Sequence, residues 1–169
     1  EFECYPTWSP DGKWLYYVSA HFEFRDTIPH ETECIKRSKE IKYSIYRKSF
    51  NPETMQFGPR EMVFDAASLG KSATLPRISP DGKYLLFSMG EWGCFHIWHR
   101  DADLYMLRLA DNKVWPLTKT NSPQAESFHN FSSNGKWIIF SSRRNDGDYT
   151  RLFFAHVDAD GNTTKAFEL

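Results

Sequence analysis

The chain has 169 residues, with 21 basic and 22 acidic side chains and a formal net charge of −1 at pH 7. This length predicts one domain. The balanced charge excludes the basic surface of a nucleic-acid-binding protein, and the lack of any long apolar run excludes a membrane-spanning helix. Phe, Tyr and Trp make up 17% of the residues, which favours half-buried β-strands. The first residues lack a signal-peptide pattern, so we interpret the chain as a fragment or mature segment of a longer protein.

One short phrase occurs three times, at 8–13, 78–83 and 131–136, and a strand-like run follows each copy. The first two copies contain Ser-Pro-Asp-Gly-Lys, in which Pro presets φ, Asp bonds its own backbone and Gly accepts a positive φ. The third contains Ser-Asn-Gly-Lys, and Asn-Gly is a strong hairpin signal. Each copy therefore predicts a turn between two antiparallel strands, and the repetition predicts a repeat architecture.

The predicted strands follow these turns in three units. The first unit, about 1–70, has strands after its turn at 14–19, 43–49 and 61–64. The second, about 71–124, has them at 84–88, 103–109 and 114–118, and the third, 125–169, at 137–142, 151–157 and 165–169. With the strand that enters each turn, every unit has four strands. We predict an all-β fold, a partial β-propeller of three four-stranded antiparallel blades.

Extra length is concentrated between the second and third strands, at 20–42 and 89–102, whereas the third unit has a short connection at 143–150. Insertions at one inter-strand position project from one face, often the binding face. Three blades cannot close a ring, since propellers have about four to eight. A homodimer or further blades from a parent chain would complete it.

The connection in the second unit contains the richest group of polar and aromatic side chains. Imidazole and carboxylate groups ligate transition metals, and aromatics with polar neighbours suit glycans or peptides. The alternative is structural, with imidazoles bonded to backbone and the aspartates shaping a turn. We predict no bound cofactor or metal. The candidate binding residues here are Trp92, His96, Trp98, His99 and Asp101, with Asp103 beside them and His129 approaching from the third unit.

The third unit adds a charged turn with Arg143 and Arg144. Because Arg forks pair well with carboxylates, we expect one of them to clamp Asp101, Asp103 or Asp148 across blades, or else to hold an anionic ligand. Arg144 is therefore a further candidate binding residue.

Three cysteines are spaced without a metal or redox motif. Cys4, Cys34 and Cys94 are interpreted as buried thiols in apolar surroundings, with a Cys4–Cys34 disulfide as the alternative in an oxidising compartment. The segment 35–42 is basic, and we interpret it as a solvated face or as a contact for an acidic partner.

The repeated turn and the aliphatic-aromatic run after it resemble the WD-repeat-like propeller repeats of the TolB type, and all three units share the resemblance. The segments 95–105 and 141–151 also resemble a subgroup of Bacteroidetes cell-envelope propellers of unassigned activity. The resemblance implies a periplasmic or envelope location and a protein-binding scaffold. The chain has half the blades of TolB-type proteins, so the partner does not carry over.

We therefore predict a non-catalytic binding module of the cell envelope, with an envelope protein or a glycan as its ligand. A glycan-binding module would use Trp92 and Trp98. Two enzymatic alternatives remain. A metal-dependent polysaccharide lyase would need His96, His99 and His129 to converge on one ion, and a peptidase lid would need a catalytic domain elsewhere.

Overall fold

The computed structural model describes residues 1–25 and 27–169, and it contains three separate four-stranded antiparallel sheets. Each sheet is made of strands that are consecutive in the chain. The predicted all-β partial propeller of three four-stranded blades is therefore confirmed. The strands are β1 (Phe2–Trp8), β2 (Trp14–Ala20), β3 (Ser44–Asn51), β4 (Gln56–Phe64), β5 (Ser72–Ile78), β6 (Tyr84–Gly90), β7 (Asp103–Arg108), β8 (Lys113–Pro116), β9 (Glu126–Phe131), β10 (Trp137–Ser142), β11 (Arg151–His156) and β12 (Phe167–Glu168).

The three repeated turns use the same hydrogen bonds. In the first, the Ser9 hydroxyl donates to the Asp11 carboxylate at 2.6 Å, and Asp11 accepts the Lys13 amide at 3.1 Å. The second turn repeats both bonds at the same spacing. In the third, Asn134 accepts from the Ser132 hydroxyl at 2.8 Å and from a following amide at 3.0 Å. An amide oxygen thus replaces a carboxylate oxygen without changing the turn.

The first strand of each blade has a bulge that the sequence patterns do not predict. Tyr5, Leu75 and Phe128 occupy equivalent positions with φ of 54°, 55° and 47°. The pairing register shifts at each of these points. Positive φ is uncommon outside glycine, so the same backbone strain recurs in all three blades. The next residue is proline in the first two blades and His129 in the third.

The blades are held together by two apolar cores, one on each face of the middle blade. Side chains alternate between the faces of a strand, so Leu85 and Phe87 pack against the first blade while Leu86 and Met106 pack against the third. All four side chains are fully buried. Burial of such a side chain contributes about 1.5–3 kcal/mol, so the blade interfaces supply much of the stability.

The outward faces of the first and third blades have no such partner among the described residues. Met62 on the first blade and Phe167 on the third are each 52% exposed. Val63, which follows Met62 in sequence, and Phe153, which pairs with Glu168 across strands, face the inner cores. These two sheet faces are where further blades or another copy of the chain would have to pack.

The first strands lie nearest the axis, because β1 contacts β5 and β5 contacts β9. A backbone bond recurs between blades there, since Ala73 N donates to Tyr43 O and Glu126 N donates to Ala102 O, both at 2.8 Å. In an antiparallel blade, the second-to-third connections and the links between blades lie at the same end of the sheets. We call this end the insertion face; it is formed by residues 21–43, 65–71, 91–102, 117–125 and 143–150.

The first insertion differs from the simple loop that the sequence suggested. It contains the helix α1 (His30–Lys36) and a 3-10 turn at Ser38–Glu40. Glu33 of α1 is buried and pairs with Arg37, and the Arg37 guanidinium lies over the Phe22 ring at 4.5 Å. The basic segment is thus partly folded back on itself, and Arg37 is not free to meet a ligand.

Candidate functional site

The connection at residues 91–102, named the crossing segment here, touches all three blades. Its first part is bonded to the first blade. Gly93 N donates to Ile41 O at 2.8 Å, and Lys42 Nζ donates to Glu91 O at 2.6 Å. The Tyr5 hydroxyl donates to the backbone carbonyl of Cys94 at 3.2 Å. The first half of the crossing segment is thereby fixed above the interface between the first and second blades.

The middle of the crossing segment is a single 3-10 turn, His96–Trp98, which fixes directions that the sequence left open. His96 points inward, and its Nδ1 lies 3.0 Å from the Thr74 hydroxyl and 3.1 Å from the Ser88 hydroxyl. Burial lowers the pKa of His96 to about 4. The imidazole is therefore neutral at pH 7, and it ties the crossing segment to the second blade.

Trp98 points outward from the same turn and is 71% exposed. The Arg143 guanidinium of the third blade lies 4.8 Å from its ring centroid. A cation over an indole face is attracted by the ring quadrupole, by about 0.5–1 kcal/mol at exposed sites. Trp98 thus links the crossing segment to the third blade and still presents most of its surface to solvent.

Trp92, His99 and Asp101 surround the base of the crossing segment. The rings of Trp92 and His99 are 4.3 Å apart, and those of His99 and His96 are 5.6 Å apart. Asp101 accepts the Glu91 amide at 2.6 Å. Burial lowers the pKa of His99, and the Asp101 charge opposes that shift. The aspartate therefore closes the segment into a compact loop, as the structural interpretation expected of Asp101.

His129 does not reach the crossing segment by a hydrogen bond. Its Nε2 lies 2.7 Å from Leu75 O, the bulge carbonyl of the second blade. Burial lowers the pKa of His129 to about 3. His129 therefore joins the first strands of two blades, and it is far less accessible than a ligand-binding side chain.

Arg144 has a different partner from the one that the sequence suggested. It pairs with Glu126 at 3.0 Å, and their side chains are 16% and 0% exposed. Arg144 also donates to Thr120 O at 2.8 Å and lies over the Phe153 ring at 4.5 Å. The expected pairing of Arg144 with Asp101, Asp103 or Asp148 is wrong, because the buried Glu126 inside the same blade is nearer.

Arg143 does meet Asp148, but through the backbone. Its guanidinium donates to the Asp148 carbonyl oxygen at 2.7 Å and does not bond the Asp148 carboxylate.

Asp103, at the start of β7, is half-buried. Burial raises the pKa of its carboxyl group, and the charge of Asp101 adds to the shift. No inter-blade carboxylate clamp is formed by these residues.

The described residues, 1–25 and 27–169, contain no group of three or more His, Cys, Asp or Glu side chains arranged to hold a metal ion. The histidines that a metal-dependent lyase would need are directed to different neighbours. Within the same residues, no helix has the length and apolar character needed to cross a membrane.

Some of the exposed large apolar side chains lie on the insertion face. Phe95 is 62% exposed and Tyr149 is 72% exposed, and the sequence analysis selected neither of them. No residue pattern separates them from core aromatics, because their exposure depends on how the loops fold. Among the residues that the structure describes on this face, the exposed large apolar side chains are those of Ile35, Leu69, Phe95, Trp98 and Tyr149.

Comparison with known proteins identifies the fold. The chain matches no protein-family model and no curated protein sequence. Among solved structures it is similar to TolB from Acinetobacter baumannii, with a TM-score of 0.58 and 23% identity over 98% of this chain and 32% of that chain. It is also similar to the β-propeller domain of the Trilobed protease from Pyrococcus furiosus, with a TM-score of 0.55 and 15% identity over 99% of this chain and 42% of that chain.

A third similar structure is the acylaminoacyl peptidase of Pyrococcus horikoshii, with a TM-score of 0.52 and 18% identity over 99% of this chain and 25% of that chain. The chain thus spans between 25% and 42% of the length of these three proteins. Identities this low show the fold alone, which is a β-propeller of the kind found in TolB and in peptidase propeller domains. Such folds carry many unrelated activities, so function has to be argued from the insertion face.

Proposed function

We propose that this chain is a non-catalytic binding module of the bacterial cell envelope, and that it contacts a protein partner through the insertion face. The observation that carries the proposal is the crossing segment itself. It is bonded to the first blade by Gly93 and to the second by His96, and it meets the third through Trp98. A loop held at so many points can present exposed aromatics at little entropic cost on binding.

The composition of this face supports a protein partner. Binding hot spots are enriched in Trp, Tyr and Arg, and the insertion face presents Trp98, Tyr149 and Arg143 on neighbouring connections. Exposed apolar patches on soluble domains commonly mark interaction sites. The envelope location rests on the resemblance to TolB-type repeats and on the similarity to the TolB fold.

The proposal is tested with two pairs of substitutions on opposite faces. Phe95→Ser with Trp98→Ser changes the insertion face. Met55→Ser with Phe57→Ser changes exposed apolar residues at the turn end and serves as the control. Each form is immobilised and incubated with envelope extract, and bound proteins are quantified by mass spectrometry.

We expect the wild type and the control pair to retain the same partner, and the insertion-face pair to lose it by tenfold or more. Circular dichroism checks that both pairs remain folded. Equal recovery by all three forms, or a loss confined to the control pair, would contradict the proposal.

Glycan recognition is a second candidate, because Trp98 is 71% exposed beside Arg143. Trp92 is half-buried against His99, so a glycan would stack on Trp98 rather than on both indoles. Titration with an oligosaccharide panel should quench tryptophan fluorescence in the wild type and not in Trp98→Phe. An unchanged signal across the panel would remove this candidate.

A further inference from the structure

The bonds that fix the crossing segment also bring two cysteines into one cluster. Cys4 lies in β1 of the first blade, and Cys94 lies in the crossing segment, 90 residues later in the chain. The Cys94 carbonyl accepts the Tyr5 hydroxyl, which is adjacent to Cys4 in sequence. The preceding carbonyl, of Gly93, accepts the buried Ser72 hydroxyl at 2.6 Å. Hydroxyl groups of the first and second blades, from Tyr5 and Ser72, therefore hold the backbone at Gly93 and Cys94 between these two blades.

The two thiols share their surroundings. Cys4 and Cys94 are partly buried and pack against the same apolar core, between the first and second blades. The Tyr43 side chain interacts with both of them. Burial raises the pKa of Cys4 to about 12, and the charge of Cys94 adds to the shift. The 3.2 Å hydrogen bond from the Tyr5 hydroxyl to the Cys94 carbonyl brings the two segments together.

The third cysteine has a different location. Cys34 lies in α1 of the first insertion, and it is not among the side chains that pack against the inner core with Cys4 and Cys94. The Cys4–Cys34 pairing considered from sequence is therefore not the one that the fold favours, and all three cysteines are free in this structure.

We propose that Cys4 and Cys94 form a disulfide that joins the first blade to the crossing segment when the chain folds in an oxidising compartment. The oxidant is a disulfide compound such as oxidised glutathione. One thiolate attacks it to give a mixed disulfide and one reduced thiol, and the second cysteine then displaces the other thiol. Two protein thiols are oxidised, one external disulfide is reduced to two thiols, and one S–S bond forms.

The same burial indicates when the bond forms. Thiolates are the reacting species, and burial suppresses them in the folded chain. Exchange should therefore be slow after folding and efficient while the chain is still open, where a cysteine pKa is about 8.5. Once formed, the bond is shielded from reductants. The inference does not depend on which partner the insertion face binds.

The experiment refolds the denatured, reduced chain either with dithiothreitol or with a mixture of reduced and oxidised glutathione. Free thiols are then alkylated and the protein is digested without reduction. We expect three alkylated cysteines after the first refolding. After the second we expect one, at Cys34, together with a linked Cys4–Cys94 peptide, and before alkylation the intact mass should be about 2 Da below that of the reduced chain.

Single substitutions supply the controls. Cys34→Ser should retain the linked peptide, whereas Cys4→Ser and Cys94→Ser should lose it. The oxidised wild type should melt on the order of 5–10 °C higher than the reduced form, because a long loop is closed in the unfolded chain. Reduction in denaturant followed by refolding with dithiothreitol should abolish the difference.

Hydrogen exchange at residues 91–95 provides an independent readout, and it should slow several-fold in the oxidised form. Three alkylated cysteines after oxidative refolding would overturn the proposal, as would a linked peptide that contains Cys34 in place of Cys4 or Cys94. A linked peptide without any slowing of exchange would also overturn the claim that the bond restrains the crossing segment.

Discussion

The Glu126 carboxylate and the Arg144 guanidinium meet at 3.0 Å inside the third blade. The carboxylate also accepts the hydroxyls of Ser122 at 2.6 Å and Ser142 at 2.9 Å. Burial raises the pKa of Glu126, and these hydrogen bonds oppose the shift. Arg144, which the sequence analysis selected as a candidate binding residue, thus pairs with the buried Glu126. This pair lies next to the link between the second and third blades.

The first prediction follows from that pair. Arg144→Ala should lower the free energy of unfolding by about 3–5 kcal/mol, because it leaves a buried carboxylate without its partner. Urea denaturation monitored by circular dichroism measures the change. Arg108→Ala is the matched control, since its pair with Asp111 is largely exposed, and it should change the free energy of unfolding only slightly. Similar losses of unfolding free energy for both variants would contradict the prediction that the buried Glu126–Arg144 pair matters more for stability than an exposed pair.

The second prediction concerns the hairpin that docks the third blade on the second. Gly161 has φ of +78°, and a Cβ there would lie 2.8 Å from the Tyr84 ring and 3.0 Å from the Trp115 ring. Gly161→Ala should therefore cost about 2–5 kcal/mol, from backbone strain together with overpacking.

Gly12→Ala is the control for that substitution. Gly12 has a similar φ of +68° but nothing within 4 Å of the added Cβ, so only the strain of about 1–2 kcal/mol remains. Thermal melts of both variants compare the two costs. Equal destabilisation of the two variants would contradict the prediction, because it would mean that the Tyr84 and Trp115 rings move away from the added methyl group at no cost in stability.

The third prediction concerns pH. His96 and His129 are buried and neutral, with pKa values lowered to about 4 and about 3. The unfolded value is about 6.5, so the unfolded chain binds more protons as the pH falls. The stability that the neutral imidazoles contribute is complete above pH 6.5, and it declines toward pH 4 by roughly 1 kcal/mol per pH unit for each histidine.

Urea titrations at pH 7.5, 6.0 and 5.0 measure that decline. His96→Asn and His129→Gln keep a nitrogen near Nδ1 and Nε2 respectively and should each flatten the pH dependence. A steep decline that persists in the double variant would assign the effect to carboxylates.

The fourth prediction tests how the crossing segment is held. Ser72 is fully buried, donates to Gly93 O at 2.6 Å and accepts Tyr43 N at 3.0 Å. Ser72→Ala should lower the free energy of unfolding by about 1–3 kcal/mol, because it leaves the Gly93 carbonyl and the Tyr43 amide without this hydrogen-bond partner. Hydrogen exchange should accelerate at residues 91–95. Ser68→Ala, at an exposed position of the adjoining link, should change neither quantity measurably.

Much of the architecture could be predicted from sequence because its signals are local. The turn at Asp11 needs only the residues beside it. Leu85, Leu86 and Phe87 are apolar at successive positions, which is typical of a strand buried on both faces. The bulges at Tyr5 and Phe128 have no such local signal. They arise where the first strands bend around the axis against neighbouring blades.

The candidate site shows the same division. The group from Trp92 to Asp101 could be selected by composition, because aromatic, imidazole and carboxylate side chains close together in a loop are typical of binding sites. Which of them face solvent depends on a 3-10 turn that buries His96 and exposes Trp98. The partner of Arg144 was unpredictable, since Glu126 lies in a different strand and looks like an ordinary surface acid in sequence.

The amino-acid sequence by itself determined the repeat, the turns and the four-stranded blades, because those depend on residues close together in the chain. Only the tertiary structure decided that one connection spans three blades, that Cys4 and Cys94 pack against the same core, and that His129 reaches the carbonyl of Leu75. Contacts of this kind join residues far apart in sequence, and they are selected by how the sheets pack around the axis rather than by any local preference.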